Sequence, residues 1–222
     1  MTRSTFAAVL GAALITGTGW TASTPLKVIL LVGPPGSGKT TQAQVLSKKY
    51  GIPAFSMAEL LKKQMLQVQK KDPIAKAMAA AIASGDALPD EAAADLVRNH
   101  LLRSDVHKGF ILDGYPSTAG QAKALDKILL DQKLPKAVVV VLQVPDEVIR
   151  KRMRARGRVD DKPENIERRI QEFRNEVALL MGWAGHTHVI RVNAEAAVAD
   201  VSKQIVTGLE EFWAKQPSSQ QP

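Results

Sequence analysis

Val28-Ile29-Leu30-Leu31-Val32, running straight into Gly33-Pro34-Pro35-Gly36-Ser37-Gly38-Lys39-Thr40, is the stretch that decides the fold. The first five residues are a continuous β-branched and leucine run, the pattern of a strand buried on both faces. The next eight satisfy G-x-x-x-x-G-K-[ST]. Lys39–Tyr50 then reads as a helix with Ala43, Val45 and Leu46 on its apolar side, closed by Gly51. Glycines allow backbone N–H groups to converge on phosphate oxygens without side-chain obstruction. A lysine at the seventh position reaches β/γ oxygens, the hydroxyl after it ligates Mg²⁺, and the helix aims its positive end at the anion. Strand, loop and helix together predict a site for nucleotide phosphates.

Outward from this unit, strand and helix patterns alternate. Ile52–Phe55 predicts a short second strand, with helices over Ala58–Gln69, Ile74–Ala83 and Asp90–Leu102. Gly109-Phe110-Ile111-Leu112-Asp113 is a strand ending in a carboxylate, followed by a helix over Thr118–Asp131. Val138–Val141 is the clearest buried strand, and a very basic helix over Asp146–Arg156 follows it. A break at Gly157–Pro163, a helix over Glu164–Met181, a strand at Val189–Val192 and a helix over Val198–Trp213 complete the pattern. Such alternation specifies an α/β fold with a parallel sheet and helices on both faces. In an open sheet of this kind the carboxyl ends of the strands line the ligand crevice. Asp113, placed there, is a candidate to hold waters of a phosphate-bound Mg²⁺. Capping of the Asp113-Gly114 turn is the bland alternative.

Composition narrows the partners. Of 222 residues, 45% are hydrophobic and 23% charged, an ordinary globular balance. Thirty Lys+Arg against 22 Asp+Glu give +8, which favours an anionic partner without choosing one. Aromatic residues are only 5%, with no basic run interleaved, so no stacking surface for single-stranded nucleic acid is expected. The absence of cysteine removes disulfides, thiolate chemistry and zinc–cysteine sites. His186 and His188 have metal-like spacing but no third ligand nearby, and read as loop residues. Residues 1–24 contain a modest apolar run, Phe6–Ile15, behind Arg3, and no acid occurs before Glu59. Export, organellar targeting and a bland extension all remain open for that segment. The run is too short to span a bilayer.

Six segments, in order, give the chain a family resemblance. Gly33–Gln42, Phe55–Lys62, Ser84–Glu91, Gly109–Pro116 with Gln121, Val144–Glu147, and Arg152, Arg156, Gly157–Asp161 and Arg169 resemble the adenylate kinases, from about Pro25 to Trp213. The resemblance implies a P-loop NTPase fold spanning 25–215, with a helical monophosphate lobe at 57–85 and a short zinc-free lid at 157–165, while the Ser/Gln/Pro-rich composition of 216–222 predicts a disordered tail. It implies reversible phosphoryl transfer from ATP to AMP or a related monophosphate, with Mg²⁺. The donor would be cradled by Gly33, Pro34, Pro35, Gly36, Ser37, Gly38, Lys39, Thr40 and Thr41, with Mg²⁺ at Thr40 and Asp113. Arg152 and Arg156 would clamp the ATP side, while Arg158 and Arg169 would bridge the transferring phosphoryl and the acceptor phosphate. Lys39, Arg152, Arg158 and Arg169 are thus the catalytic candidates. Met57, Lys62, Gly114, Ser117, Gln121, Arg158 and Arg169 are the acceptor-side candidates. A cytoplasmic monomer acting on small nucleotides, with no nucleic-acid or membrane partner for the mature domain, is the expectation.

The sequence departs from that family at three acceptor positions. Met57 stands where the family has threonine, and Lys62 and Ser117 stand where it has arginine. Lysine keeps the charge but loses the two-point fork. The serine loses a charge-assisted phosphate contact, an effect of about 1.5–3 kcal/mol. Gln121, the family's adenine-reading side chain, and Gly114 are retained. A nucleotide-binding protein of kinase descent with weak turnover, and a kinase for another small acceptor, are the alternatives left open.

Overall fold

The structure is a computed structural model that describes residues 26–67, 79–80, 88–103, 106, 108–158, 161–185 and 187–215. Apart from residues 79–80, the expected helix over Ile74–Ala83 lies outside the described residues, as do most of the far half of the 57–85 lobe, part of the lid, His186 and both termini.

Five strands are present: β1 (Lys27–Val32), β2 (Ala54–Ser56), β3 (Gly109–Asp113), β4 (Val138–Gln143) and β5 (His188–Asn193). They form one parallel sheet in the order β2-β3-β1-β4-β5. The helices are α1 (Lys39–Tyr50), α2 (Met57–Gln67), α3 (Asp90–Arg103), α4 (Ala119–Asp131), α5 (Asp146–Arg156), α6 (Pro163–Ala184) and α7 (Val198–Ala214).

Strand side chains alternate between faces, and each face of this sheet is covered. Val28, Leu30, Phe110, Leu112, Val139 and Val141 point to one side, into a core shared with α2, α3, α4 and α6. Ile29, Leu31, Ile111, Val138, Val140 and Leu142 point to the other, against Ala43 and Leu46 of α1 and Val201, Ile205 and Leu209 of α7. Two-sided burial explains why the middle positions of β1, β3 and β4 are all apolar. A third cluster, Ile149, Met153, Ile166 and Ile170, joins α5 to α6. It gives the segment between those helices a base of its own.

Local chemistry sets the boundaries. Gly51 ends α1 at φ 63°, the left-handed conformation that glycine adopts without strain, and its N–H bonds Ser47 O. Ser56 and Glu59 exchange hydrogen bonds across the start of α2, Glu59 N–H to Ser56 Oγ at 3.2 Å and Ser56 N–H to Glu59 Oε2 at 3.4 Å. That reciprocal cap starts the helix at Met57, one residue earlier than its apolar pattern predicts. α6 runs to Ala184, past the expected Met181, because Leu180 and Ala184 are both buried. His188 begins β5 and stacks on Phe212, with ring centroids 4.2 Å apart, rather than lying in a loop.

The sheet order places the site. From β1 the chain goes to β2 at one edge, returns to β3 beside β1, then crosses to β4 on the other side. The carboxyl end of β1 is therefore the topological switch point, where open α/β sheets bind ligands. The Gly33–Thr40 loop leaves β1 there, and Leu31 pairs with Asp113 of β3 next to it.

Candidate active site

The loop closes on its own lysine. Lys39 Nζ donates to Gly33 O at 2.7 Å and to Pro34 O at 2.9 Å, and Ser37 N–H donates to Pro34 O at 3.1 Å. Gly33 is required by close approach. A Cβ there would lie 2.8 Å from Ser37 Oγ and 3.0 Å from Leu142 O of β4. Gly38 is required by conformation, at φ 97° with open space above it. As the N-cap of α1 it brings no capping side chain. The first N–H groups of the helix thus face the mouth of the loop, together with the positive end of its dipole.

Burial lowers the Lys39 ammonium from its usual value to about 8. The Asp113 carboxylate opposes that shift, and the charges of Arg169 and Arg156 add to it. Asp113 and two arginines from distant segments are therefore electrostatic neighbours of this lysine. Thr40 Oγ1 donates to Asp113 Oδ2 at 2.5 Å, and Asp113 is 5% exposed. A hydroxyl and a carboxylate this close form a hard oxygen pair, the donor type Mg²⁺ takes alongside phosphate and water. The residues fit that ion. Among the described residues no group of three or more His, Cys, Asp or Glu could hold a metal on its own.

The arginines of α5 and α6 divide their tasks. Arg152 and Arg156 share a face of α5, yet they reach different partners. Arg152 donates to Ala194 O at 2.9 Å and Glu195 O at 3.0 Å, on the segment after β5. Arg156 grips Asp161 at two points, Nε to Oδ2 at 2.9 Å and Nη2 to Oδ1 at 2.6 Å. The Arg158 N–H adds a third bond to Asp161 at 3.0 Å, and Arg169 Nη1 stands 3.9 Å from the same carboxylate. Burial works to raise the Asp161 pKa. The Arg156 hydrogen bonds, the Arg158 N–H and the charges of Arg156 and Arg169 outweigh it and hold the group below the usual carboxylate range. Asp161, to which the sequence reading gave no role, is thus the hub of three arginines. Arg150 proves structural: it pairs with Glu167 through Nε at 2.7 Å and Nη2 at 2.9 Å, tying α5 to α6.

On the other flank, Met57 opens α2 and Gly114 follows β3, where a Cβ at position 114 would lie 3.9 Å from that of Met57. Lys62 is exposed on α2. Ser117 gives its hydroxyl and its N–H to Gln121 Oε1, both at 2.9 Å. Gln121 is 2% exposed and also donates Nε2 to Leu88 O at 3.3 Å. Thr118 caps α4 by accepting from Gln121 N–H at 3.1 Å while donating to Asp90 Oδ1 at 2.6 Å. Ser117 and Gln121 are therefore brought together, and they bind one another. Gln42, quoted above as part of the loop's signature, belongs to the scaffold. Its Nε2 donates to Val198 O at 3.1 Å and its Oε1 accepts from Ser202 Oγ at 2.7 Å.

Comparison with known proteins agrees with this geometry. The family model described as "Adenylate kinase" matches residues 31–187. The adenylate kinase of Corynebacterium urealyticum is 35% identical over 182 residues, covering 82% of this chain and 98% of that protein. That of Leptospira biflexa is 33% identical over 189 residues, covering 83% and 100%. That of Brucella ovis is 36% identical over 188 residues, covering 80% and 95%.

Proposed function

The chain belongs to the adenylate kinase family, and from that premise we propose that it moves the γ-phosphoryl group of ATP onto a nucleoside monophosphate, with AMP as the reference acceptor: ATP + AMP = 2 ADP. A phosphate oxygen of the acceptor forms the new bond to the γ-phosphorus. The bond from that phosphorus to the β,γ-bridging oxygen breaks, and its electron pair stays on the departing ADP. No residue need form a covalent intermediate, because this reaction depends on alignment and on neutralising charge.

The observation that carries the reading is the convergence of Lys39, Thr40 and Asp113 at the switch point, within electrostatic reach of Arg156 and Arg169. Lys39 exchanges its two loop carbonyls for β- and γ-phosphate oxygens, and the N–H groups at the start of α1 receive the rest of the chain of phosphates. Thr40 and Asp113 would hold Mg²⁺, which neutralises charge on the phosphates when bound. Arg152, anchored beside Ala194 and Glu195, lies along the donor side. Arg156 and Arg169 exchange Asp161 for phosphoryl oxygens, joined by the exposed Arg158 side chain, as the segment at 157–165 closes, which also excludes water. A protein that only bound nucleotide would have no use for this arginine cluster.

No helix among the described residues is long and apolar enough to cross a membrane. A cytoplasmic monomer is the reading adopted, with delivery through residues 1–24 as its alternative. A coupled assay of ATP against AMP, CMP, UMP and GMP tests the function. ADP formation with at least one of them is expected, and inertness toward all four would overturn it.

A further inference from the structure

At the amino ends of the strands, far from the Gly33–Thr40 loop, a groove of about 320 Å³ opens between the end of α4 and the end of α6. Leu129 and Leu130 of α4, Leu134 just after it and Trp183 of α6 give it an apolar lining, and Asp126, Lys136 and Thr187 complete it. Leu130 is 77% exposed, and Leu179, one turn before Trp183 on the same face of α6, is 60% exposed. Trp183 donates its indole N–H to Asp126 Oδ2 at 2.6 Å. The polar end of the ring is thereby satisfied and its body is left to an apolar neighbour. A single exposed leucine is ordinary, but two of them beside a tryptophan-lined groove mark a surface that another apolar group covers.

The chain itself carries such a group and brings it to this end of the sheet. Phe6–Ile15 is apolar but for Gly11, and no charged side chain occurs between Arg3 and Lys27. Lys27 begins β1 two residues before Ile29, and Lys136 of the groove stands two residues before Val138, the partner of Ile29 on β4. Neighbouring strands lie about 5 Å apart, so the chain enters the sheet beside the groove. Residues 16–26 separate the apolar run from Lys27, a tether that reaches on the order of 36–40 Å when extended. A segment on so short a tether meets its site at an effective concentration on the order of millimolar, far above that of a second copy in dilute solution.

We propose that this groove is the docking site of the chain's own N-terminal segment, with side chains of Phe6–Ile15 seated against Leu130, Leu134, Leu179 and Trp183. Two apolar surfaces that would each face water then cover one another. The site lies away from the switch point and does not depend on the kinase reading, and its test uses no catalysis.

The chain has no cysteine, so Leu130→Cys introduces a single thiol. Its rate of labelling by a maleimide is measured in the full chain, with the native run and with Leu10→Asp and Leu14→Asp together. The thiol should label about tenfold or more slowly beneath the native run, because access then waits on local opening. Val198→Cys, at a 52% exposed position at the start of α7, is the reference and should label at the same rate in both. Equal rates at position 130, or an equal slowing at position 198, would overturn the proposal. So would protection that falls on dilution, which would make a second copy the occupant, or a mass showing that the purified chain has lost residues 1–24.

Discussion

Thr40 and Asp113 meet across 2.5 Å, hydroxyl to carboxylate, although 73 positions separate them in the chain. The contact joins the first turn of α1 to the end of β3 and sets the two oxygen donors side by side. Asp113→Ala should raise the Mg²⁺ concentration needed for half-maximal rate by about tenfold or more, because a carboxylate in this setting contributes on the order of 1.5–3 kcal/mol. Titrating the rate against Mg²⁺ at fixed ATP measures it. An unchanged Mg²⁺ requirement would return Asp113 to the bland role of capping a turn.

Lys39 carries a pH signature. With burial holding its pKa at about 8 in the nucleotide-free protein, a growing share of the ammonium is neutral above that pH. ATP phosphates favour the charged form and raise the value again. Binding of ATP should therefore take up protons at about pH 8.5 and take up almost none at pH 6.5, and ATP affinity should fall as pH rises through 8. Calorimetry in two buffers of different ionisation enthalpy reads the uptake. Equal binding heats in both buffers at the higher pH would show that Lys39 stays charged throughout.

The arginines gathered on Asp161 should act in the transition state. Arg158→Ala and Arg169→Ala are expected to lower kcat by about 10²-fold or more while changing KM for ATP by less than about fivefold, as donors do when aimed at developing charge. Steady-state kinetics separates the two parameters. A change confined to KM would make these residues simple binding groups.

Gln42 should matter to the fold and not to the chemistry. Its side chain, 2% exposed, links α1 to Val198 and Ser202 of α7. Gln42→Ala should destabilise the protein by about 1–3 kcal/mol, since it removes two hydrogen bonds between α1 and α7 and leaves Ser202 Oγ and Val198 O only each other. The urea midpoint reports this loss, and an unchanged midpoint would mean that water replaces the amide without penalty.

What could be read from the sequence follows the range of the forces involved. β1, β3 and β4 were legible because two-sided burial makes the middle of each an unbroken apolar run, and the loop was legible because phosphate binding fixes its glycines and its lysine. β2 was placed roughly, at Ile52–Phe55 rather than Ala54–Ser56, since three residues at a sheet edge carry little pattern. The Ser56–Glu59 cap was visible as S-x-x-E and went unused. The grip of Arg156 on Asp161, the clasp of Ser117 on Gln121 and the stitch from Gln42 to α7 are tertiary contacts. Composition and periodicity carry no trace of which polar side chain will face which, so the bonds from Ser117 to the neighbouring amide had no signal in the sequence.

The central claim is that this site passes the γ-phosphoryl of ATP to a monophosphate with Lys39 at its centre. Incubation with γ-labelled ATP and unlabelled AMP, followed by separation of the products, tests it most directly. The account predicts label in the β-phosphate of newly formed ADP for the wild type. It predicts a rate lower by about 10³-fold or more for Lys39→Ala, whose circular dichroism should be unchanged because its ammonium serves phosphate oxygens and not the core. Label that stays in ATP or appears only as inorganic phosphate, or near-normal transfer by Lys39→Ala, would contradict it.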